Sequence, residues 1–161
     1  MSAVYYASIP SCDQTTHIDT DKYPSKLGIT IELCAGIVDK ELPLEEIASI
    51  EILEECGYDV PASKLETITT FRQVLLDTGI GTSGDKQTMF YVEVTDQMKI
   101  GSGKLFILSQ QGGGNPKEGE LIEVVEMSIS EATSYMAQDK VQSPGGFMFA
   151  LMWFFHNKVH I

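Results

Sequence analysis

The sequence predicts an α/β fold in which helices cover both faces of a β-sheet. Two observations support this prediction: short segments in which apolar and polar residues alternate, and longer segments in which apolar residues recur at helical spacing. Both kinds of segment follow one another along the chain, and packing helices on a sheet is how such elements bury their apolar faces. The chain has 161 residues, 43% hydrophobic and 21% charged, which is enough for one folded domain.

The first half of the chain predicts one strand and one helix. Residues 1–28 are rich in Ser, Thr, Asp and Pro and predict mostly loop. Ile29 to Leu33 alternates apolar and polar residues with β-branched character, which is typical of a strand. Leu44 to Cys56 carries an apolar stripe at helical spacing, and Gly57 fits the end of that helix.

The second half predicts three strands, two loops and two helices. Apolar periodicity separates strands from helices, and clusters of Gly, Ser, Thr and Pro mark the loops. The three consecutive glycines at 112–114 lack the ending of a phosphate-binding loop and indicate flexibility instead. The predicted strands are 65–76, 87–94 and 121–127, the loops are 77–85 and 101–119, and the helices are 130–138, with Ser130 as N-cap, and 146–158.

Charge and hydropathy exclude two classes of partner. The net charge of −12 and the lack of a Lys/Arg cluster argue against a general nucleic-acid binder. The longest apolar run, Phe147 to Phe155, is shorter than the roughly 20 residues that cross a bilayer. With no apparent signal peptide, we expect a cytoplasmic protein without a membrane partner.

The three cysteines, Cys12, Cys34 and Cys56, are an odd number without a repeating spacing. This pattern favours reduced thiols over a disulfide framework. Cys34 and Cys56 are expected to be small buried hydrophobes rather than redox groups.

Three carboxylates are the most informative chemical feature of the chain. Glu51, Glu54 and Glu55 lie at i, i+3 and i+4 and therefore share one face of a helix. Like charges at this spacing repel each other unless something positive lies among them. An oxygen-rich site of this kind suits a hard divalent cation. The alternative, a solvated acidic face, is the common interpretation of a glutamate-rich helix taken alone.

The stretch from Gly36 to Tyr58 resembles the Nudix box, G-x5-E-x7-R-E-U-x-E-E-x-G-U, in which U is apolar. Leu42 stands where the box has Glu, and Ile50 stands where it has Arg. The preceding Glu32-Leu-Cys-Ala35-Gly36 resembles the segment that leads into the box in Nudix hydrolases of nucleoside diphosphate sugars and ADP-ribose. The matching box positions are Gly36, Glu51, Ile52, Glu54, Glu55, Gly57 and Tyr58.

The resemblance implies a Nudix fold, a mixed β-sheet sandwiched between helices, over residues 29–161. Residues 1–28 would then be the remnant of a longer N-terminal segment, so that N-terminal strands of the family are missing. The implied activity is Mg²⁺-dependent hydrolysis of the diphosphate of a nucleotide sugar, with Mn²⁺ as a possible substitute. UDP-glucose would yield UMP and glucose 1-phosphate, and the resemblance also suggests a homodimer.

The resemblance also assigns roles to individual residues. Glu51, Glu55 and the backbone carbonyl of Ala35 would be metal ligands, and Glu54 would be a ligand or a catalytic neighbour of the metal. The residue that positions or deprotonates water would be Glu120, with Glu118 as its rival. In the substrate site, Glu32 would orient the substrate, and Arg72 is a candidate phosphate contact.

Leu42 and Ile50 leave two other functions open. The arginine of the box is thought to hold its glutamates in place, so its replacement by Ile50 favours a catalytically impaired module that binds a nucleotide or a partner. The other possibility is an ADP-ribose pyrophosphatase, which would differ in the base and sugar pocket.

Overall fold

The computed structural model describes residues 21, 24, 28–72, 86–100, 113–115, 120 and 122–159. The chain divides into two compact units, Met1–Leu33 with Glu126–Ile161, and Cys34–Val125. The helices are α1 (Leu44–Glu51), a π-helical turn (Ile52–Cys56), α2 (Ile129–Met136) and α3 (Gly145–Asn157), and the strands are β1 (Glu66–Arg72) and β2 (Lys86–Tyr91). This mixture of helices and an antiparallel sheet agrees with the predicted α/β class. The covering of the sheet by helices on both faces stays a prediction, as does the domain boundary between residues 28 and 29.

The predicted carboxylate helix is present, but it changes its winding part of the way along. Helix α1 begins after Pro43, whose carbonyl accepts hydrogen bonds from the N–H groups of Glu46 and Ile47. At Ile52 the helix widens into a π turn, a rare form that occurs mostly as a single turn within an α-helix. Gly57 ends it with a left-handed φ of 76°, a conformation that costs glycine little.

Strands β1 and β2 form an antiparallel pair in the Cys34–Val125 unit. Their register shifts between Thr67 and Thr69, and the hydroxyls of Thr70 and Thr88 lie 3.0 Å apart across the pair. Both strands lie within or next to the predicted segments, although β2 ends at Tyr91 rather than at residue 94. The predicted loop at 77–85 lies outside the described residues.

A hydrogen-bonded network holds the other unit together around the start of α3. The hydroxyls of Tyr135 and Ser143 lie 2.8 Å apart, and Ser143 donates to the carbonyl oxygen of Ile31 at 2.5 Å. The Tyr135 ring packs edge-on against Phe147, with ring centroids 5.9 Å apart, and Phe147 is buried. Helices α2 and α3 confirm the two predicted C-terminal helices to within two residues at each end.

Two predicted strands and one predicted cap are wrong. Residues 29–33 and the described residues 122–127 form no strand, and the sheet in the described part of the chain contains only β1 and β2. Ile31 donates its N–H to Gln142 instead, and Ile29 remains 62% exposed. The N-cap of α2 is Ser128 rather than Ser130, since Ser128 and Glu131 form a reciprocal capping box.

Among the described helices, none combines the length and the apolar character needed to cross a membrane.

Candidate functional site

The candidate site is a group of four acidic residues in the Cys34–Val125 unit, which we call the carboxylate cluster: Glu51, Glu54, Glu55 and Glu120. Glu51 is the last residue of α1, and Glu54 and Glu55 lie in the π turn. Glu55 is buried, with 8% of its surface exposed. Burying a charged group costs free energy unless the group is paired or hydrogen-bonded.

The segment before α1 lies directly against the cluster. The N–H of Ala35 donates to Oε2 of Glu55 at 3.0 Å. At Gly36, an added Cβ would overlap Cδ of Glu51, so a side chain there would require the carboxylate to move. The glycine of the box is therefore needed for a close approach between the backbone and Glu51.

Residues 113–115, which are distant in sequence from α1, also contact the backbone of the cluster. Gly113 and Gly114 donate their N–H groups to the carbonyl oxygens of Glu55 and Glu54, at 2.8 and 3.1 Å. Both glycines have positive φ, 107° and 83°, which explains why glycine occupies these positions.

The same segment holds the side chain of Glu120. Oε2 of Glu120 accepts a hydrogen bond from the N–H of Asn115 at 2.7 Å. The N–H of Glu120 donates in turn to the carbonyl of Asn115 at 3.3 Å. Residues 113–115 thus connect the carboxylate of Glu120 to the backbone of the π turn.

Burial and neighbouring negative charges both act on the carboxyl group of Glu51. Burial raises the pKa of Glu51 above its ordinary value of 4.5, and the charges of Glu54, Glu55 and Glu120 raise it further. Lys40 opposes them and lowers the pKa. The cluster therefore concentrates negative charge that a cation would neutralise.

Two thiols flank the contact between Ala35 and Glu55. Cys34 precedes Ala35 and Cys56 follows Glu55, and both are free and half-buried. Interaction with Cys56 and burial raise the pKa of Cys34 well above its usual range, whereas interaction with Cys34 lowers the pKa of Cys56.

Most of the predicted site residues belong to the Cys34–Val125 unit. Glu32 belongs to the other unit, where its Oε1 accepts a hydrogen bond from the Thr30 hydroxyl at 2.5 Å. Arg72 is the last residue of β1, but its side chain lies outside the described part, as does Glu118 entirely. Gly113, Gly114 and Asn115 were not predicted as site residues, and the run of glycines was the available signal.

The carboxylate cluster supplies the oxygen ligands that a hard cation prefers, but its side chains are not already arranged around a metal position. Glu55 is buried among like charges, and the described hydrogen bond to its carboxylate comes from one N–H. In the described part of the chain, no group of three or more His, Cys, Asp or Glu side chains is arranged to hold a metal ion. Mg²⁺ is commonly held through one or two carboxylates and several waters, so this donor set fits that ion.

Relatives found by comparison with known proteins include two proteins of the same name. Uridine diphosphate glucose pyrophosphatase NUDT14 of Bos taurus is 40% identical over 133 residues, which are 82% of this chain and 54% of the relative. The protein of the same name from Mus musculus is 38% identical over 137 residues, 84% of this chain and 55% of the relative. No family model matches the chain. The chain spans about half the length of these curated relatives, and over that span it is related to enzymes named for UDP-glucose.

Proposed function

We propose that this chain, as a relative of uridine diphosphate glucose pyrophosphatases, is a Nudix hydrolase that cleaves the diphosphate of nucleotide sugars with Mg²⁺. The single observation that supports this best is the carboxylate cluster, in which Glu120 joins three glutamates of the box-like helix. Hydrolysis of UDP-glucose would give UMP and glucose 1-phosphate.

In this proposal Glu51, Glu55 and the Ala35 carbonyl would hold the cation, with Glu54 as a further ligand or a neighbour through water. When bound, Mg²⁺ would neutralise diphosphate charge and lower the pKa of a coordinated water. Nucleotide and protein are both anionic, the protein with a net charge of −12, and a bridging cation would reduce the repulsion between them.

Side chains of the protein would then accept a proton and position the substrate. Glu120 would accept the proton of the attacking water, and Glu118 is the alternative base in the same stretch of sequence. Glu32 would orient the nucleotide sugar, and Arg72 would contact phosphate.

The test is turnover by the purified chain with UDP-glucose and Mg²⁺, with UMP and glucose 1-phosphate separated by ion-exchange chromatography. Glu55→Gln should abolish product formation, because it removes the charge of the buried ligand. Glu46→Gln is the matched control, since it removes the same charge from an exposed position of α1 and should retain turnover. Equal inactivity of the unchanged chain and Glu55→Gln would refute the enzymatic proposal.

Leu42 and Ile50, the two departures from the box, support a second candidate, a module that binds nucleotide sugar without cleaving it. Isothermal titration calorimetry with UDP-glucose and Mg²⁺ separates the two functions, because this candidate predicts binding heat without products. Faster turnover of ADP-ribose than of UDP-glucose would instead favour the ADP-ribose assignment.

A further inference from the structure

The backbone next to Glu32 is hydrogen-bonded to the residues just before α3. The N–H of Ile31 donates to the carbonyl oxygen of Gln142 at 3.0 Å. The carbonyl oxygen of Ile31 accepts from the hydroxyl of Ser143 at 2.5 Å. Both polar backbone groups of Ile31 are therefore held by two adjacent residues of the same unit.

The hydroxyl of Ser143 is itself held in a defined orientation. Pro144, the next residue, has no N–H to donate, and the Ser143 hydroxyl supplies the donor for the Ile31 carbonyl. A hydroxyl has one proton to donate, so the 2.8 Å hydrogen bond between Ser143 and Tyr135 takes its proton from the phenol of Tyr135. The Tyr135 ring packs edge-on against the buried ring of Phe147. These hydrogen bonds thus connect a packed aromatic ring to the carbonyl of Ile31.

Hydrogen bonds, more than packing, determine the position of Glu32. The peptide group that joins Ile31 to Glu32 is planar, so the hydrogen bond that its carbonyl accepts also orients the N–H and Cα of Glu32. Oε1 of Glu32 accepts a hydrogen bond from the Thr30 hydroxyl at 2.5 Å. Ile29 and Leu33 are 62% and 39% exposed, so burial of their side chains contributes little to holding the segment.

We infer that Tyr135 and Ser143 are positioning residues for Glu32 and act on binding of the nucleotide sugar more than on its cleavage. The inference rests on the proposed function, in which Glu32 orients the substrate. A carboxylate accepts several hydrogen bonds, so Glu32 can bond a sugar hydroxyl while it retains Thr30. Without the Ser143 hydroxyl, the peptide group between Ile31 and Glu32 must be ordered when substrate binds, and this ordering weakens affinity.

The experiment compares Ser143→Ala and Ser143→Thr in the full chain. Ser143→Ala removes the donor to Ile31, so exchange of the Ile31 amide proton, followed by NMR in heavy water, should accelerate roughly five- to tenfold. The KM for UDP-glucose should rise by a similar factor while kcat changes less than about twofold. Ser143→Thr keeps a hydroxyl and should restore both values. Loss of stability alone would reduce the amount of active enzyme, and hence kcat, without a change in KM.

Two variants in α2 separate the hydrogen bonds from general effects on the unit. Tyr135→Phe keeps the aromatic ring and removes the phenol, so it should raise KM less than Ser143→Ala does. Ser134→Ala is the matched control, because the Ser134 hydroxyl donates to the carbonyl of Ser130 at 2.8 Å within the same helix. It should leave the amide exchange of Ile31 and the KM unchanged.

Glu32→Ala tests whether the effect passes through Glu32. This variant should itself raise KM, and adding Ser143→Ala to it should raise KM no further. If the unchanged chain binds UDP-glucose without cleaving it, the calorimetric Kd takes the place of KM in every comparison.

The proposed function and the inference fail on different results. A chain that neither cleaves nor binds UDP-glucose refutes the proposed function, and the inference falls with it. In an active chain, the inference alone is overturned by unchanged Ile31 exchange in Ser143→Ala, by a loss of turnover confined to kcat, or by a further rise of KM in the double variant.

Discussion

At the scale of single residues, Gly36 determines where the carboxylate of Glu51 can lie. Because the atoms that meet an added Cβ belong to a flexible side chain, the fold can accept the change when Glu51 moves away. The contact therefore acts on the position of one carboxylate more than on the stability of the fold.

We expect Gly36→Ala to weaken Mg²⁺ binding by about tenfold or more while stability changes by less than about 1 kcal/mol. Calorimetric Mg²⁺ titration and urea unfolding measure the two effects. Gly145→Ala is the matched control, because nothing lies within 4 Å of a Cβ added there. Equal Mg²⁺ affinity of Gly36→Ala and the unchanged chain would contradict the role given to this glycine.

Glu51 should lower the stability of the metal-free chain at neutral pH. Its pKa is raised in the folded state by burial and by Glu54, Glu55 and Glu120, so the folded state holds its proton more tightly than the unfolded state. Its stabilising contribution is complete below the unfolded pKa and is lost as pH rises through the folded pKa. Glu51→Gln should therefore melt about 2 °C higher at pH 7, with no difference below about pH 4. A lower melting temperature of this variant at pH 7 would show that repulsion does not dominate.

At the scale of elements, the sequence predicts helices better than strands in this chain. The carboxylate helix was predictable because a 3.6-residue period and a terminal glycine are both local signals. Its conversion to a π turn at Ile52 was not, since the widened winding leaves the residue pattern unchanged. Ile29 to Leu33 alternates as a strand does, but a strand also needs a partner, and alternation within one segment does not supply it.

The capping of α2 provides a test at the same scale. Ser128→Ala should cost about 1 kcal/mol, because the Ser128 hydroxyl accepts from the N–H of Glu131 and the Glu131 carboxylate accepts from the N–H of Ser128. Ser130→Ala, two residues along, should cost clearly less. Chemical denaturation followed by circular dichroism compares them, and equal losses would contradict the assignment of the cap.

At the scale of the whole molecule, the part of the site that depends on distant contacts could not be predicted in detail. Glu51, Glu54 and Glu55 follow from one helix, and the resemblance to a family supplied Glu120. The connection from Gly113 and Gly114 to the π turn consists of backbone hydrogen bonds, which leave no side-chain pattern other than the glycines themselves.

Net charge gives a test for the molecule as a whole. With a charge of −12, sodium chloride should raise the melting temperature modestly by screening self-repulsion. At matched ionic strength, MgCl₂ should raise it by several degrees more, because an ion that binds the folded state stabilises it by mass action. The additional rise should vanish in Glu55→Gln, and its persistence there would place the cation elsewhere.

The hydrogen bonds between Glu120 and Asn115 have a kinetic consequence. When a catalytic base lies on a mobile loop, the loop must close in every catalytic cycle. Because this motion takes place through solvent, turnover slows as solvent viscosity increases. Glu120 is hydrogen-bonded to Asn115, and residues 113 and 114 are hydrogen-bonded to the backbone of Glu55 and Glu54. If Glu120 is the base, no loop closure has to bring it to the site in each catalytic cycle. Glycerol, which raises solvent viscosity, should then slow turnover little.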